Sequence, residues 1–546
     1  MKAFSYIERN RILERLKDEN YDVIVIGGGI TGTGIALDCT TRGLKILLVE
    51  MQDYAAGTSS RSTKLVHGGL RYLKQFEVKM VADVGKERAI VYENAVHVTR
   101  PEWMLLPFYK QGTFGKYSTS IGLKVYDFLA GVKREERRKM LSRKETLQKE
   151  PLLNEKDLQG GGEYVEYRTD DARLTIEVAK KAAEKGADLV NYTKVEGFHY
   201  NAENRVTGVY LLDEITGQEY LAKSKLIVNA TGPWVEKVIE MDYEIKGKSL
   251  LHTKGVHIVI DGKKLPLRQP LYFDTPDGRM VFTIPRNGKT YVGTTDTVFD
   301  EDLKHPQVTH EDKAYLINCI QKMFPKTQIK MEDIESTWAG VRPLIHEKGK
   351  GPSEISRKDE IWDSETGLIT IAGGKLTGYR KMAETVTDLL ISKLEKGGKA
   401  YGKSLTKKLK LSGGELSKPE DYQSFIETKA NRLSMLGMSI KDGTNIAALY
   451  GTNTDLIMDM QKEVLHESDL PLPIKLTLHY GIKHEMTMTP VDFFMRRTGT
   501  LFFDIKWVQT WKEPVTNYME QILNWTPERK MQVLEELELR IKEATS

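Results

Sequence analysis

The sequence predicts an α/β fold of the Rossmann type, followed by a strand-rich region and a helical C-terminal region. The first observation is a strand, glycine turn, helix and second strand in order over residues 21–50. The second is a later buried strand that enters a glycine turn and a helix over 368–394. The third is the helical pattern of residues 404–546. With 546 residues and a hydrophobic fraction of 40%, the chain can build two or three domains.

The composition argues against several classes of protein. The 81 basic and 77 acidic side chains leave a formal charge of +4, which provides no overall field for binding nucleic acid. Cys39 and Cys319 form neither a disulfide framework nor a metal-ligand spacing, so we predict buried structural thiols and no metal site. The sequence contains no apolar run of the about 20 residues that span a bilayer, and the N-terminus lacks a signal-peptide core.

Residues 1–20 are predicted to form a short amphipathic helix. Ser5 and Glu8 fit a capping box, while Ile12 and Leu16 fall on the same side. We favour a helix that packs on its own domain. Contact with an anionic membrane surface is the alternative.

The first strand, residues 22–26, opens into a G-x-G-x-x-G turn that indicates a dinucleotide site. The first glycine permits a tight turn, the second lets the backbone approach a pyrophosphate, and the third lets helix and strand pack closely. The N–H groups at the start of the helix suit phosphate. The residues predicted to bind the cofactor here are Gly27, Gly29, Ile30, Thr31 and Gly32.

Glu50 ends the second strand, 18 residues beyond Gly32. Its carboxylate can accept hydrogen bonds from ribose hydroxyls, and it would repel a 2′-phosphate. Strand, glycines, helix, second strand and acid all occur in order, which predicts a dinucleotide site. FAD and NAD both remain open at this point.

Two later segments favour a flavin. Residues 226–234 form a buried strand that ends in Ala230-Thr231-Gly232, of which Ala230 and Gly232 are predicted to contact the cofactor. Residues 368–380 form a strand and a glycine turn that place a further helix N-terminus toward a ligand. In a flavoenzyme, N–H groups and a cation stabilise the negative charge of the reduced ring. The residues of this turn predicted at the cofactor are Gly374, Lys375, Leu376 and Thr377.

Several motifs together resemble the FAD-dependent glycerol-3-phosphate dehydrogenase family. They are GGGITGTGIA, SSRSTKLVHGGLRYL, NATGPWV, WAGVRPL and GGKLTGYRKMAE. The resemblance runs from about residue 21 to 394 and continues through DFFMRRTGTLFFD. It implies an FAD domain of the D-amino-acid-oxidase or p-hydroxybenzoate-hydroxylase type, an antiparallel-sheet substrate domain and an α-helical C-terminal domain.

The resemblance also implies an activity. Family members oxidise sn-glycerol 3-phosphate to dihydroxyacetone phosphate, reduce FAD and usually pass the electrons to a membrane quinone. An oxidase branch passes them to oxygen and makes hydrogen peroxide. That branch commonly carries an insertion between cap and FAD domain, and the lack of an evident one here favours the dehydrogenase. We therefore expect a cytoplasmic enzyme, peripherally bound to the inner face of the cell membrane, with a possible homodimer.

The hydroxyl-rich segment after Glu50 is predicted to wrap around the flavin. Short hydroxyls can donate to pyrophosphate or ring atoms without filling the space that the cofactor needs. Gly68 and Gly69 let the backbone lie against a ring or a substrate. The predicted cofactor contacts here are Thr58, Ser59, Ser60, Ser62 and Lys64.

The reaction needs a base, phosphate-binding cations and a group that stabilises the reduced flavin. His67 is the candidate base, since a neutral imidazole accepts a proton near pH 7. Arg71 and Arg342 are the candidate phosphate clamps, because one planar guanidinium can bind two phosphate oxygens in a bidentate contact. Lys375 is the candidate for stabilising reduced flavin or orienting the substrate.

Three further residues near these motifs have a weaker assignment or none. Tyr72 could line the pocket and Arg357 could touch substrate or flavin, although either could simply pack or pair with a neighbour. Asp296 follows a strand that is predicted to face the cavity, and it receives no role.

The FAD domain is predicted to be discontinuous. Its segments are 21–100, 165–235 and 336–395, and the cap segments are 101–164 and 236–335. The glycine- and lysine-rich linker ends at 403, and residues 404–546 show no catalytic constellation. For that region we expect packing, dimerisation or partner contact.

Two other classes of function are weighed against the dehydrogenase. A flavoprotein that acts on RNA, or a flavin-bound interaction protein without catalysis, is disfavoured by the near-neutral charge and by the lack of an aromatic and basic RNA platform. An NAD-linked dehydrogenase is disfavoured by the second glycine turn and by the hydroxyl-rich segment.

Overall fold

The structure is a computed structural model of the full chain. It describes residues 4–67, 78–110, 112, 137–245, 248–347, 359–395, 398, 400–464 and 468–546.

The strands of the described chain form two sheets. In chain order the strands are β1 Asn20–Ile26, β2 Ile46–Val49, β3 Leu65–Val66, β4 Thr99–Tyr109, β5 Lys139–Ser142, β6 Leu158–Thr169, β7 Asp188–Val190, β8 Thr193–Tyr200, β9 Val206–Asp213, β10 Glu219–Asn229, β11 Lys248–Asp261, β12 Leu271–Asp274, β13 Met280–Arg286, β14 Lys289–Gly293, β15 Thr297–Val298, β16 Ile334–Glu347, β17 Glu360–Asp363 and β18 Leu368–Ala372.

The first sheet is the predicted Rossmann-type sheet. Its order in the described residues is β17-β18-β10-β1-β2-β7, with β9 added on β10 and β8 on β9. The central strands β18, β10, β1, β2 and β7 run parallel to one another. β1 and β2 are buried along almost their whole length, as their β-branched and apolar residues predict.

The second sheet confirms the predicted antiparallel substrate region. Its order in the described residues is β15-β11-β14-β13-β12-β4-β6-β3, with β16 paired to β11 and β5 paired to β6. All these pairs are antiparallel except for a single parallel contact between β12 and β4. β6 and β16 belong wholly to this sheet, so the predicted boundaries at 165 and 336 each fall inside one of its strands. The division of the chain into domains otherwise stays a prediction.

The α-helices pack on both sheets and fill the C-terminal region. They are α1 Tyr6–Arg15, α2 Ile30–Thr41, α3 Val78–Asn94, α4 Arg143–Lys149, α5 Asp171–Glu184, α6 Val235–Ile239, α7 His310–Met323, α8 Tyr379–Leu394, α9 Tyr422–Ser434, α10 Ile440–Tyr450, α11 Thr454–Asp459, α12 Leu472–His484, α13 Thr500–Phe503, α14 Ile505–Leu523 and α15 Pro527–Thr545. α2 packs between α5 and α8, so the main core includes residues from the start, middle and end of the Rossmann-type region.

The predicted helical C-terminal region packs against the second sheet. Phe493, Phe494 and Phe502 share one buried cluster with Met104 of β4 and Ile284 of β13. None of the helices in the described part of the chain combines the length and the apolar character that a membrane span requires.

The N-terminal helix packs on its own domain, as the favoured interpretation predicts. Ser5 caps α1 by accepting a hydrogen bond from the Glu8 N–H. Ile12 and Leu16 are buried against the first sheet. Arg9 is also buried, where it pairs with Asp213. The apolar side that the membrane alternative would need is therefore covered by the protein.

Both cysteines are buried thiols, as predicted. Cys39 lies in the main core and Cys319 in a core of the second sheet. Burial raises the thiol pKa of Cys39 to about 12 and that of Cys319 to about 11. Both thiols therefore stay protonated and unreactive near neutral pH.

Candidate active site

A cavity of about 720 Å³ lies where the carboxyl ends of β1, β2, β10 and β18 meet the second sheet. Ligands of open α/β sheets bind at this edge. The residues predicted for the site that line the cavity are Gly27, Gly29, Ile30, Thr31, Glu50, Thr58, Ser59, Ser62, His67, Ala230, Gly232, Arg342, Gly374, Lys375, Leu376 and Thr377. The structure thus brings together segments more than three hundred residues apart in the sequence, such as Glu50 and Lys375.

The first glycine turn leaves no space for side chains. Gly27 has a φ of +111°, and a Cβ added there would lie 2.6 Å from the carbonyl oxygen of Ala230. A Cβ on Gly32 would lie 1.9 Å from the carbonyl oxygen of Gly27. Gly32 therefore serves the close packing of helix and turn, while Gly29, the N-cap of α2, borders the cavity.

Glu50 holds its carboxylate at the cavity through main-chain contacts. The Gly28 N–H donates to its Oε2 at 2.6 Å and the Gln52 N–H donates to its Oε1 at 2.8 Å. Burial raises the pKa of Glu50, and these two amide hydrogen bonds oppose that shift. Each oxygen keeps a further lone pair that can accept from a ribose hydroxyl.

Three hydroxyl side chains of the hydroxyl-rich segment that were predicted to contact the cofactor line the cavity wall. Thr58 Oγ1 donates to the carbonyl of Val341 at 2.6 Å. Ser59 Oγ accepts from the Ile30 N–H at the start of α2 at 3.0 Å. Ser62 Oγ donates to Asp171 at 2.7 Å. Each hydroxyl is thereby oriented by the protein while its small size leaves the cavity open.

Ser60 and Lys64, predicted to contact the cofactor, lie behind the cavity wall. Both side chains are buried, with 0% and 3% exposure. Lys64 Nζ pairs with Asp171 Oδ1 at 2.6 Å and donates to the Ser60 carbonyl at 3.0 Å. The physical reason is electrostatic, because a buried ammonium needs a close carboxylate and Asp171 provides it. Lys64 therefore stabilises the hydroxyl-rich segment from the side that faces away from the cavity, through its contacts with Asp171 and with the Ser60 carbonyl.

His67 follows β3 and faces the cavity. Its ring centroid lies 6.1 Å from that of Phe282, and its carbonyl accepts from Thr377 Oγ1 at 3.2 Å. Burial lowers the pKa of the imidazole, and the positive charges of Lys375 and Arg342 lower it further, against an opposing effect of Glu166. The ring is therefore neutral at physiological pH and is able to accept a proton.

Arg342 of β16 extends toward the cavity beside β11. Its Nη2 donates to Thr294 Oγ1 at 3.0 Å, and its Nη1 lies 3.3 Å from Asp296 Oδ1. The side chain is 35% exposed, so a bound anion can reach it. A Cβ on Gly255 would lie 2.3 Å from Arg342 Nη2, which shows that this glycine makes room for the guanidinium.

The second glycine turn follows β18 and brings a cation and the start of a helix to the cavity wall. Gly373 and Gly374 have φ angles of +74° and +96°. Lys375 then occupies the N-cap position of the short helix that precedes α8, and Thr377 is buried within that helix. The backbone of this turn offers N–H groups in the position predicted for the reduced flavin.

Arg71, Tyr72 and Arg357 lie outside the described residues, as do Gly68 and Gly69. Their assignments stay predictions. The described phosphate-binding candidate is therefore Arg342.

Sequence reasoning missed Gly255, Thr294 and Gln52. A glycine inside the strand pattern of 248–261 was a usable signal of close backbone approach. Gln52 gave no signal, because its role depends on the turn that follows Glu50. Its Nε2 is buried at the cavity wall and has no hydrogen-bond partner among the described residues.

These residues fit FAD. One end of the cavity has a helix N-terminus, a carboxylate at a strand end and the orphaned Gln52 amide, which suit a nucleotide with phosphates and ribose. The other end has the second glycine turn, Lys375 and His67, which suit a ring that becomes negatively charged.

Comparison with known proteins agrees with this geometry. The family model described as FAD dependent oxidoreductase matches residues 22–380, and that of the C-terminal domain of alpha-glycerophosphate oxidase matches residues 404–530. The aerobic glycerol-3-phosphate dehydrogenase of Bacillus subtilis is 57% identical over 99% of this chain and 98% of its own length. That of Staphylococcus epidermidis is 55% identical over the same shares. The crystal structure of the glycerol-3-phosphate dehydrogenase from Bacillus halodurans complexed with FAD is 44% identical, with a TM-score of 0.86 over 100% of this chain and 99% of that one.

Proposed function

Because this chain belongs to the family of FAD-dependent glycerol-3-phosphate dehydrogenases, we propose that it oxidises sn-glycerol 3-phosphate to dihydroxyacetone phosphate and passes the electrons to a membrane quinone. FAD is the cofactor of the family. The observation that carries the proposal is the cavity itself, in which a neutral His67 and the cation Arg342 face the space beside the second glycine turn.

When bound, FAD supplies the acceptor for the hydride that leaves C2 of the substrate. The imidazole of His67 accepts the proton of the C2 hydroxyl as that hydride leaves. Its lowered pKa keeps it unprotonated and ready. The carbonyl contact with Thr377 ties the backbone of His67 to the second glycine turn, so base and turn keep a fixed separation.

Arg342 holds the phosphate of the substrate. Thr294 and Asp296 orient its guanidinium, and Gly255 leaves the space in which it lies. A planar guanidinium can bind two phosphate oxygens at once, which fixes the substrate in direction as well as in place. Arg71, and more weakly Tyr72 and Arg357, are proposed as further substrate contacts from the sequence alone.

Lys375 provides positive charge at the wall opposite the nucleotide end. Its charge is close enough to His67 to lower the imidazole pKa. The same charge, with the N–H groups of the turn, stabilises negative charge that builds up on the ring side of the cavity.

The acceptor and the location are proposed from the relatives and from the resemblance. The relatives at 55–57% identity are named dehydrogenases rather than oxidases. We place the enzyme on the cytoplasmic side, peripherally bound to the inner face of the membrane, with a homodimer as a possible assembly. Flotation of the holoenzyme with anionic vesicles tests the membrane contact, and protein that stays unbound at low salt would contradict it.

Anaerobic titration with sn-glycerol 3-phosphate, followed at the flavin absorption band, tests the reaction. We expect bleaching by this substrate and none by glycerol, which lacks the phosphate that Arg342 binds. Reoxidation by a soluble quinone should then restore the colour. Yellow protein that does not bleach would overturn the substrate, and near-stoichiometric hydrogen peroxide in air would overturn the quinone and favour the oxidase.

Two variants separate the proposed roles of His67 and Arg342. Arg342→Ala should weaken substrate binding by about 2 kcal/mol or more, roughly thirtyfold, with a smaller effect on the limiting rate of flavin reduction. His67→Asn should lower that limiting rate and leave substrate affinity nearly unchanged. In the natural enzyme the rate should fall only below the usual pKa of histidine, because protonation of the buried ring requires a lower pH.

Stopped-flow reduction over pH 5–8 measures both quantities. Equal losses of affinity in the two variants would contradict the assignment. So would a His67→Asn variant that keeps the natural rate and pH profile.

A further inference from the structure

The loop of residues 50–57 joins the end of β2 to the hydroxyl-rich segment and carries cavity residues at both of its ends. Glu50 and Gln52 line the cavity at its start, and Ala56 and Gly57 line it at its end. The middle of the loop faces away from the cavity and is fully buried, with Asp53 at 0% exposure. Contacts that fix the position of Asp53 therefore also fix the residues at both ends of the loop, which line the cavity.

Asp53 is held by two arginines of the C-terminal region. Arg496 Nε donates to Asp53 Oδ2 at 2.6 Å. Arg497 forms a bidentate contact with the Asp53 carboxylate, with Nη1 2.7 Å from Oδ2 and Nη2 2.9 Å from Oδ1. Asn191 Nδ2 donates to Oδ1 at 3.2 Å. Burial opposes ionisation of Asp53, but the two arginine charges lower its pKa below the usual range.

The two arginines are themselves fixed inside the C-terminal region. Arg496 Nη2 donates to Asp492 Oδ1 at 2.5 Å, and Arg497 Nη2 donates to the Glu485 carbonyl at 2.7 Å. Asp492 also accepts from the main-chain N–H groups of Met488 and Thr489, at 2.8 and 2.9 Å. All of these groups are buried, so the contacts are screened little by water.

A second route leads from the same residues to the loop. Asp492 Oδ1 accepts from the hydroxyl of Tyr192 at 2.7 Å. The Tyr192 N–H in turn donates to the Gln52 carbonyl at 2.8 Å, and the Thr193 N–H donates to the Glu50 carbonyl at 2.7 Å. The C-terminal region thus reaches the backbone of Glu50 and Gln52 as well as the side chain of Asp53.

We propose that Arg496 and Arg497 are positioning residues for the nucleotide half of FAD. They act through Asp53, and with Asp492 the four residues form what we name the Asp53 clamp. The clamp holds the Glu50 carboxylate and the Gln52 amide at the distance that the ribose and phosphates require. The helical C-terminal region, which the sequence indicated only as a packing or contact region, is thereby part of the cofactor site. The proposal does not depend on the substrate or on the electron acceptor.

The physical argument concerns a buried charge. If Asp53 loses its charge, Arg496 and Arg497 keep two buried positive charges but lose the carboxylate that they share. Arg496 then has Asp492, and Arg497 has only the more distant Glu485 carboxylate, 3.8 Å from its Nε. The loop or the arginines must then move toward water, and movement of the loop displaces Glu50 and Gln52. A supporting group that shifts its neighbour by a fraction of an ångström weakens a preorganised site without touching the ligand.

The test compares Asp53→Asn with the matched variant Asp38→Asn. Asp38 is also a fully buried carboxylate that pairs with an arginine, Arg42, and joins α2 to the C-terminal region through Ser404 and Thr406. It lies near the far end of α2, away from the cavity. FAD affinity is measured by quenching of flavin fluorescence on rebinding to the full-length chain, with ADP as a competitor for the nucleotide half.

We expect Asp53→Asn to weaken both FAD and ADP by about tenfold or more. Asp38→Asn should lower the melting temperature while leaving both affinities within about twofold of the natural protein. Weakening of FAD without weakening of ADP would overturn the assignment to the nucleotide half. Equal losses of affinity in both variants would reduce the clamp to a general structural contact.

Arg497→Lys is a milder variant that keeps the positive charge and removes the bidentate contact with Asp53. It should weaken FAD by an intermediate amount, and natural affinity in this folded variant would overturn the proposal. Hydrogen exchange on the natural protein needs no variant. Removal of FAD should raise amide exchange in 50–57 and 485–497 together, but not in 422–450, and unchanged exchange in 485–497 would contradict the coupling.

Discussion

The hydroxyl-rich segment of residues 58–67 and the buried ionic groups of the C-terminal region solve opposite problems. Its hydroxyl side chains Thr58, Ser59 and Ser62 border a cavity, are small and neutral, and are oriented by hydrogen bonds to the protein. The C-terminal groups Arg496 and Arg497 are not among the residues that line this cavity, and their charges are paired with the buried carboxylates of Asp53 and Asp492. Where the cavity wall must leave space for a ligand, this segment uses short polar groups, whereas the buried junction fills the space and pairs its charges.

The buried ionic groups that join the C-terminal region to the rest of the protein, which we name the charged junction, form two separate arms. One arm is the Asp53 clamp, which reaches the cofactor loop. The other, which we name the Arg173 cluster, joins α5 to the C-terminal region and consists of Arg173, Glu177, Lys180 and Glu485. Burial would raise the carboxyl pKa values of Glu177 and Glu485, but Arg173 and Lys180 lower both of them. Glu177 and Glu485 are thus ionised beside Arg173 and Lys180, and of the two arms only the Asp53 clamp touches the loop of residues 50–57.

The largest effect is expected when a side chain fills space on the cavity side. In Gly32→Ala the new Cβ would lie 1.9 Å from the Gly27 carbonyl oxygen, so the glycine turn must open. We expect FAD affinity to fall by at least about a hundredfold, giving colourless protein, because the pyrophosphate and helix contacts lose their geometry. Absorbance of the purified protein and fluorescence titration with FAD measure this effect.

Gly378→Ala is the control for a glycine that borders the second turn. A Cβ there meets no atom within 4 Å, and its φ of −91° suits any residue. This variant should keep the natural FAD affinity. A yellow Gly32→Ala protein with normal affinity would show that the close packing of turn and helix is dispensable.

The parts predictable from the sequence are those whose partners lie nearby in the chain. The first glycine turn and Glu50 belong to one continuous βαβ unit, so their pattern fixes their place. The second turn, with Lys375 and Thr377, was predicted because its own strand and helix point at the same edge of the sheet.

Lys64 shows why other parts were missed. The hydroxyls around Lys64 predicted a cofactor contact. Its ammonium instead forms an ion pair with Asp171, which lies 107 residues further along the sequence. Arg496 and Arg497 are 443 and 444 residues from Asp53. Adjacent residues of an α-helix point in different directions, yet here a π-helical turn, Asp492–Arg497, brings both side chains to one carboxylate. The pattern of D-F-F-M-R-R contains no sign of that wider turn.

A smaller effect sharpens the difference between the two arms of the charged junction. Arg173→Met removes the arginine that pairs with both Glu177 and Glu485 and leaves these buried carboxylates with Lys180 alone in the cluster. We expect a loss of stability of about 3–5 kcal/mol, seen as a lower urea midpoint with FAD in excess. FAD affinity at low temperature should stay within about threefold of the natural protein, because the Arg173 cluster does not touch the loop of residues 50–57.

Arg432→Met provides the matched control on the surface of the same region. Arg432 and Asp455 form an ion pair at 3.2 Å in which both side chains are about half exposed, so its loss should cost about 1 kcal/mol or less. If Arg173→Met instead weakens FAD as strongly as Asp53→Asn, the two arms act as a single unit. The contact between Arg497 and the Glu485 carbonyl would then transmit the change, and the border between structural junction and cofactor site would move from Arg497 to α5.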